Sequence, residues 1–157
     1  MAKYLTIFFV SMGPIIELRG AMVMAMAPGM DIPFPLALLI CVIGNMLPVP
    51  FIYFFARKFL IWGAKQKHIG KICNFFLVKG EHAGQKMVKK TGRGGLFIAL
   101  LLFVGIPLPG TGAWTGTLGA SFLDMGFKST VVAVSGGVIL AGIIMAMAST
   151  GVCAVLF

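Results

Sequence analysis

The chain has little charge. Only 11% of its 157 residues are Asp, Glu, Lys or Arg, and four of those are acidic. A soluble globular domain carries about a quarter charged residues, so this composition excludes an ordinary globular protein. With 59% hydrophobic residues it excludes disorder as well. Cys41, Cys73 and Cys153 show no paired spacing and no C-x-x-C unit, which excludes a disulfide framework. A free cysteine in an apolar stretch behaves as a small buried hydrophobe. His68, Cys73, Glu81 and His82 share one segment, but their spacing matches no ligand pattern and lysines surround them, so no metal is expected. Paired carboxylates, a Ser-His-Asp set within the apolar stretches and a Walker A loop are all missing. The chain is therefore not expected to be an enzyme, to need a cofactor, or to draw directly on ATP.

What is present is apolarity, with a mean hydropathy of +1.03. Four apolar stretches, 4–29, 33–62, 95–123 and 127–157, each exceed the roughly 20 residues that cross a hydrocarbon core of about 30 Å. The start of the chain lacks the basic region and small-residue cleavage site of a secretory signal, so a cleaved leader is not expected. The fold class is an all-α integral membrane protein. The net charge of +9 sits in one place: ten basic residues between Arg57 and Arg93 face Glu81 alone, and the charges elsewhere cancel. A nucleic-acid binder would spread such charge over a polar surface, so nucleic acid is not an expected partner. By the positive-inside rule segment 57–93 is cytoplasmic, which places the chain in the plasma (inner) membrane as a multi-pass protein. Within the linker 63–94, Ile69, Ile72, Cys73, Phe76, Ala83 and Met87 recur at helical intervals with lysines off that stripe. This predicts an amphipathic helix resting on anionic headgroups, with Gly80 and Gly84 arguing against one unbroken helix.

An internal repeat divides the chain. At an offset of 93, Pro14 falls on Pro107, Ala27 on Ala120, Asp31 on Asp124, Phe34 on Phe127 and Gly44 on Gly137. Repeat 1 covers 1–62 and repeat 2 covers 95–157, each a broken apolar segment, a short acidic turn and a longer span. The breaks are Gly13-Pro14 through Gly20, and Gly105 through Gly116 with Pro107 and Pro109. Proline removes an amide donor and glycine raises the entropic cost of helix, so the chain unwinds there. Irregular backbone at membrane depth survives only where protein or a wet cavity satisfies it. Segments 4–29 and 95–123 are therefore expected to be re-entrant hairpins whose tips meet near the midplane, with inverted repeats and both termini outside. The alternative is four full crossings with both termini inside.

Glu17 and Arg19 are the ionisable residues deep within an apolar stretch, where each costs roughly 2.5–3.5 kcal/mol. At i and i+2 on a helix their side chains diverge, so each needs its own partner, although a structural ion pair at an unwound tip stays open. Arg19 offers a planar fork suited to carboxylate or phosphate. Glu17 complements a positive helix start, and burial disfavours the charged form of a carboxylate, so it can also take up a proton. Gly110, Thr111 and Gly112 can present successive amides as an anion nest, with hydroxyls at Thr111 and Thr115; close helix packing is the other reading of these glycines. Trp114 is a packing residue or a platform for substrate. Asn45, a polar side chain in lipid, hydrogen-bonds across helices or lines the same cavity.

The segments Glu17-Leu18-Arg19-Gly20-Ala21, Gly44-Asn45 with Pro48 and Pro50, and Pro107 through Gly116 resemble the small multidrug export protein family over nearly the whole chain. That family is similar to the DedA, or VTT, superfamily, whose members have paired re-entrant hairpins and include lipid scramblases and polyprenyl-phosphate translocases. The resemblance implies a membrane transporter of a small amphipathic or phosphate-bearing lipid substrate, coupled to protons or cations. An exporter of cationic drugs and a non-transporting envelope scaffold stay open. The expected partners are membrane lipids, that substrate, and protons or cations; a homodimer stays open.

Overall fold

The computed structural model describes residues 2–14, 16–66, 70–108 and 111–156, without the side chains of residues 76, 80, 81, 83, 87, 91 and 150–156. Among the described residues seven helices follow in order: α1 (Ala2–Met12), α2 (Glu17–Ala25), α3 (Phe34–Met46), α4 (Val49–Ala64), α5 (Gly70–Gly105), α6 (Ala113–Phe122) and α7 (Phe127–Leu156). No strand occurs among the described residues.

Proline and glycine set the helix boundaries. Helix α1 stops at Met12 before Gly13-Pro14, where an amide donor is lost and the preceding residue is pushed out of helical geometry. Prolines 35 and 50 sit in the first turns of α3 and α4, the place where a missing amide costs nothing. Helices α3 and α4 continue each other across Leu47-Pro48 as one apolar rod, Phe34–Ala64, and α7 supplies a second, Phe127–Ser149. Both are long and apolar enough to cross a bilayer. The arms of the two broken segments are not: at 1.5 Å per residue α1 reaches about 16 Å, α2 about 14 Å, the part of α5 from Gly92 to Gly105 about 21 Å and α6 about 15 Å.

Each broken segment folds back on itself. The Lys3 ammonium donates to the carbonyl of Met30 at 2.9 Å, which brings the start of α1 to the end of α2. In the second half, Leu96, Leu100 and Phe103 share a cavity of about 240 Å³ with Thr115, Gly119 and Leu123. The bases of the two hairpins are tied to opposite ends of the α3–α4 rod. Residues 29–30 lead directly into α3, whereas Asp124 pairs with Arg57 and the Met125 carbonyl accepts from the Tyr53 hydroxyl, both on α4.

Several positions of the two halves correspond. Met12 and Gly105 end the first arms, and Phe34 and Phe127 start the long spans, each pair 93 apart. Asp31 and Asp124 both adopt positive φ, 46° and 54°. A side chain on Gly44 would run into Phe8 and Ser11, and one on Gly137 into Leu101 and Val104. The same offset relates the glycines and their neighbours, so each long span touches its own hairpin at an equivalent place.

The interior is built from Ile7, Leu18, Met22, Val49, Val134 and Val138, all fully buried. Outside, Phe9, Phe51 and Phe55 are 64, 70 and 71% exposed, a surface that suits hydrocarbon and not water.

The basic segment departs from expectation. Helix α5 runs through residues 80 and 84 and breaks instead at Gly92, where φ is 72°. Gly84 is buried because α5 lies directly on the Leu123 carbonyl, leaving no room for a side chain. The glycine serves close packing, not a bend. Cys73 is buried as well, while Lys71, Lys79, Lys86, Lys89 and Lys90 are exposed. Residues 67–69, with His68, lie outside the described residues.

Candidate functional site

The two breaks meet. At the first, α2 opens on Glu17, a non-glycine residue with φ 51°. Backbone of this kind costs of order 1–3 kcal/mol and persists only when its surroundings hold it. What holds it is the second hairpin. The Trp114 amide donates to Glu17 Oε1 at 3.4 Å, and the Ala113 amide also reaches the carboxylate. Gly112 precedes them in extended backbone, φ −162°, and any side chain there would overlap the Glu17 carboxylate. The first amides of a helix lack internal partners and carry the positive end of its dipole, so an acid from α2 is seated at the start of α6.

Arg19 works at the other side of the same break. Its guanidinium donates to the carbonyls of Val104 at 3.3 Å and Ile106 at 3.2 Å, to the Leu108 carbonyl, and to Thr111 Oγ1 at 3.0 Å. These groups lie at and beyond the end of α5, where the last carbonyls are orphaned and a cation is favoured. The Thr111 hydroxyl donates back toward Ile106 and Leu108, both at 2.9 Å. Thr115 Oγ1 accepts the Gly112 amide at 3.0 Å and closes the first turn of α6.

The second hairpin reciprocates. The Trp114 indole N–H donates to the carbonyl of Met12, at the end of α1, at 3.2 Å. Each tip thus satisfies helix ends belonging to the other. Glu17 and Arg19 do not pair: among the described residues the ion pair is Arg57 with Asp124.

Of the residues singled out in the sequence, Glu17, Arg19, Thr111, Gly112, Trp114 and Thr115 come together here. Asn45, on α3, is 2% exposed and lines a cavity of about 10 Å³ with Glu17, Arg19 and Gly112. Pro14 and Pro107 lie in the two breaks. Pro109 and Gly110 lie outside the described residues. Tyr53, Arg57 and Ser121, whose hydroxyl donates to the Tyr53 carbonyl at 3.1 Å, were not singled out. The Arg57–Asp124 link had one faint signal, an acid that interrupts two apolar stretches. Among the described residues no group of three His, Cys, Asp or Glu side chains converges as a metal site.

An apolar exterior, two membrane-length helices and two interlocked broken hairpins, in a fold that is helical with no strand among the described residues, mark a membrane protein. A family described as "Putative small multi-drug export protein" matches residues 17–144, and the chain belongs to that family. No curated protein and no solved structure matches. The family match begins at Glu17 and takes in both tips.

Proposed function

We propose that this protein is a non-enzymatic inner-membrane exporter whose two hairpins are re-entrant and whose substrate passes between their tips. The reading rests on one observation: the Glu17 carboxylate occupies the first amides of α6 beside the Arg19 guanidinium. A helix start that holds an internal carboxylate is a site for an anion from outside. The substrate is accordingly a small amphipathic molecule with an anionic headgroup, of which a phosphate-bearing lipid is the leading case. Its headgroup competes with Glu17 for the α6 amides and takes up Arg19. A proton on Glu17 removes the competitor, which couples proton entry to headgroup binding. Movement of one hairpin and its span against the other then exchanges access between the two sides.

Several features support the re-entrant, inverted arrangement. The hairpin arms are too short to cross. Hairpin 1 opens toward Met30 and hairpin 2 toward Arg57 and the basic segment. With that segment cytoplasmic, the first hairpin dips in from outside and the second from the cytoplasm. Likeness to the DedA superfamily points the same way.

The test is binding of a fluorescent polyprenyl phosphate to protein in nanodiscs, with proton uptake measured alongside. Arg19→Ala is expected to abolish binding, and Glu17→Gln to retain binding while losing the linked proton. Unchanged binding in Arg19→Ala overturns the reading. The family description favours export of drugs, and the second reading is accordingly a proton-coupled exporter of cationic drugs. It predicts that Glu17→Gln abolishes drug resistance while Arg19→Ala leaves most of it. If both substitutions are silent in both assays, the protein is a scaffold and not an exporter.

A further inference from the structure

Among the described residues, buried polar side chains are satisfied with one exception. Ser11, Thr117 and Thr130 donate to carbonyls of their own helices or turns, and Ser121 to the Tyr53 carbonyl. The Oδ1 of Asn45 is buried and accepts no hydrogen bond. An unmet buried acceptor is costly and calls for a reason. Asn45 faces the small cavity beside Glu17, whose lining gives one. Its members are Glu17, Leu18 and Arg19 from α2, Asn45 from α3, Val104 from α5, the Gly112–Ala113 start of α6, and Val138 and Ala141 from α7. Arg19 is the one other charged side chain; the remaining elements contribute neutral groups. On the Asn45 side, then, a carboxyl group and an amide oxygen share a space of about 10 Å³. Both are acceptors while the carboxyl is ionised, and the Arg19 N–H groups donate elsewhere, to the carbonyls of Val104, Ile106 and Leu108 and to Thr111, so Asn45 Oδ1 is left without a donor.

We propose that this cavity is the proton site of the protein, with Asn45 Oδ1 as the acceptor for the O–H of neutral Glu17. When a proton from solvent binds the carboxylate, the new O–H turns toward Asn45 and the α6 amides are released. When the proton returns to solvent, the carboxylate goes back to those amides. No other bond is made or broken. Other occupants fit less well. A water needs roughly 10–15 Å³ and two to four polar partners, which puts this cavity at the lower limit. A metal cation needs a shell of oxygens, and here the side chains offer two groups next to a guanidinium charge. The proposal deepens the proposed exporter reading by stating where its proton goes and what frees the anion site.

The test is infrared difference spectroscopy between acid and alkaline buffer, on the full chain in nanodiscs without substrate. A carboxyl C=O band is expected that disappears in Glu17→Gln. In Asn45→Leu the band is expected at higher frequency, because the O–H has lost its acceptor. A reciprocal measurement covers the case in which Asn45→Leu does not fold. With Asn74→Gln leaving Asn45 as the sole asparagine, a ¹³C-labelled side-chain carbonyl at Asn45 is expected to shift to lower frequency on acidification. A Glu17 band that ignores Asn45→Leu, an Asn45 carbonyl that ignores acidification, or no titrating Glu17 band at all overturns the proposal. So does a water or ion resolved between the two side chains. Loss of transport with these spectra intact removes the exporter reading and leaves the proton site standing.

Discussion

The Glu17 carboxylate lies against the Gly112 backbone so closely that the glycine's missing side chain is what makes room for it. The two residues belong to different hairpins, and their contact brings an acid to the start of α6. Arg19 and Trp114 complete the interlock, so the broken helices are held by each other's ends.

Gly112→Ala is expected to force the carboxylate off the α6 amides. Overpacking of this kind costs roughly 1–3 kcal/mol, read as a lowered unfolding temperature in detergent. Adding Glu17→Ser removes the overlapping atoms and is expected to recover part of that loss. A Gly112→Ala protein as stable as the parent would contradict the contact.

Arg19→Lys keeps the charge but not the fork. The carbonyls of Val104, Ile106 and Leu108 then compete for one ammonium, at a cost of about 1–3 kcal/mol for the acceptors left unmet. Thermal unfolding of Arg19→Lys beside Arg19→Ala measures how much of the cap is charge and how much is geometry.

Trp114→Phe retains the ring and deletes the N–H that reaches Met12. About 0.5–1.5 kcal/mol is expected to be lost, with the effect centred on the end of α1. Faster hydrogen exchange of the α1 amides, with α7 unchanged, is the readout.

At Asp124 the backbone matters more than the ion pair. The pair with Arg57 is solvent-facing, with side chains 38 and 51% exposed, so Asp124→Asn is expected to cost under about 1 kcal/mol. Asparagine also tolerates the φ of 54°. Asp124→Val meets that φ with a β-branched side chain and is expected to cost about 1–3 kcal/mol more. Equal losses in the two variants would shift the weight to charge.

The proposed inverted arrangement predicts sidedness. A single cysteine introduced at Met30 is expected to react with an impermeant thiol reagent from the outside, and one at Gln66 only after the membrane is opened. Equal labelling of both from one side would leave the two hairpins entering from the same face.

Much of this fold was legible because its punctuation is local. Gly13-Pro14 stops α1 whatever surrounds it, and the matched Asp31 and Asp124 mark turns that both adopt positive φ. The basic segment was less legible: Gly84 looks like a helix breaker in isolation and is in fact a contact point for Leu123. A helix start for Glu17 was legible, but that the helix is α6, and that Arg19 caps the end of α5, was not, for a related reason. Their partners lie about ninety residues away, and backbone amides and carbonyls leave no mark in a list of side chains.

The sequence by itself determined the apolar composition of a membrane protein, where proline and glycine break its helices, and that an acid and a guanidinium sit deep within an apolar stretch. Transfer free energies and backbone sterics act on each segment alone, so no neighbour is needed to read them. Which helix end each charge would serve, and that Asn45 would share a cavity with Glu17 and keep an unmet acceptor, only the tertiary structure decided. Hydrogen bonds to backbone depend on position and direction, and those exist only once the two tips have been brought together.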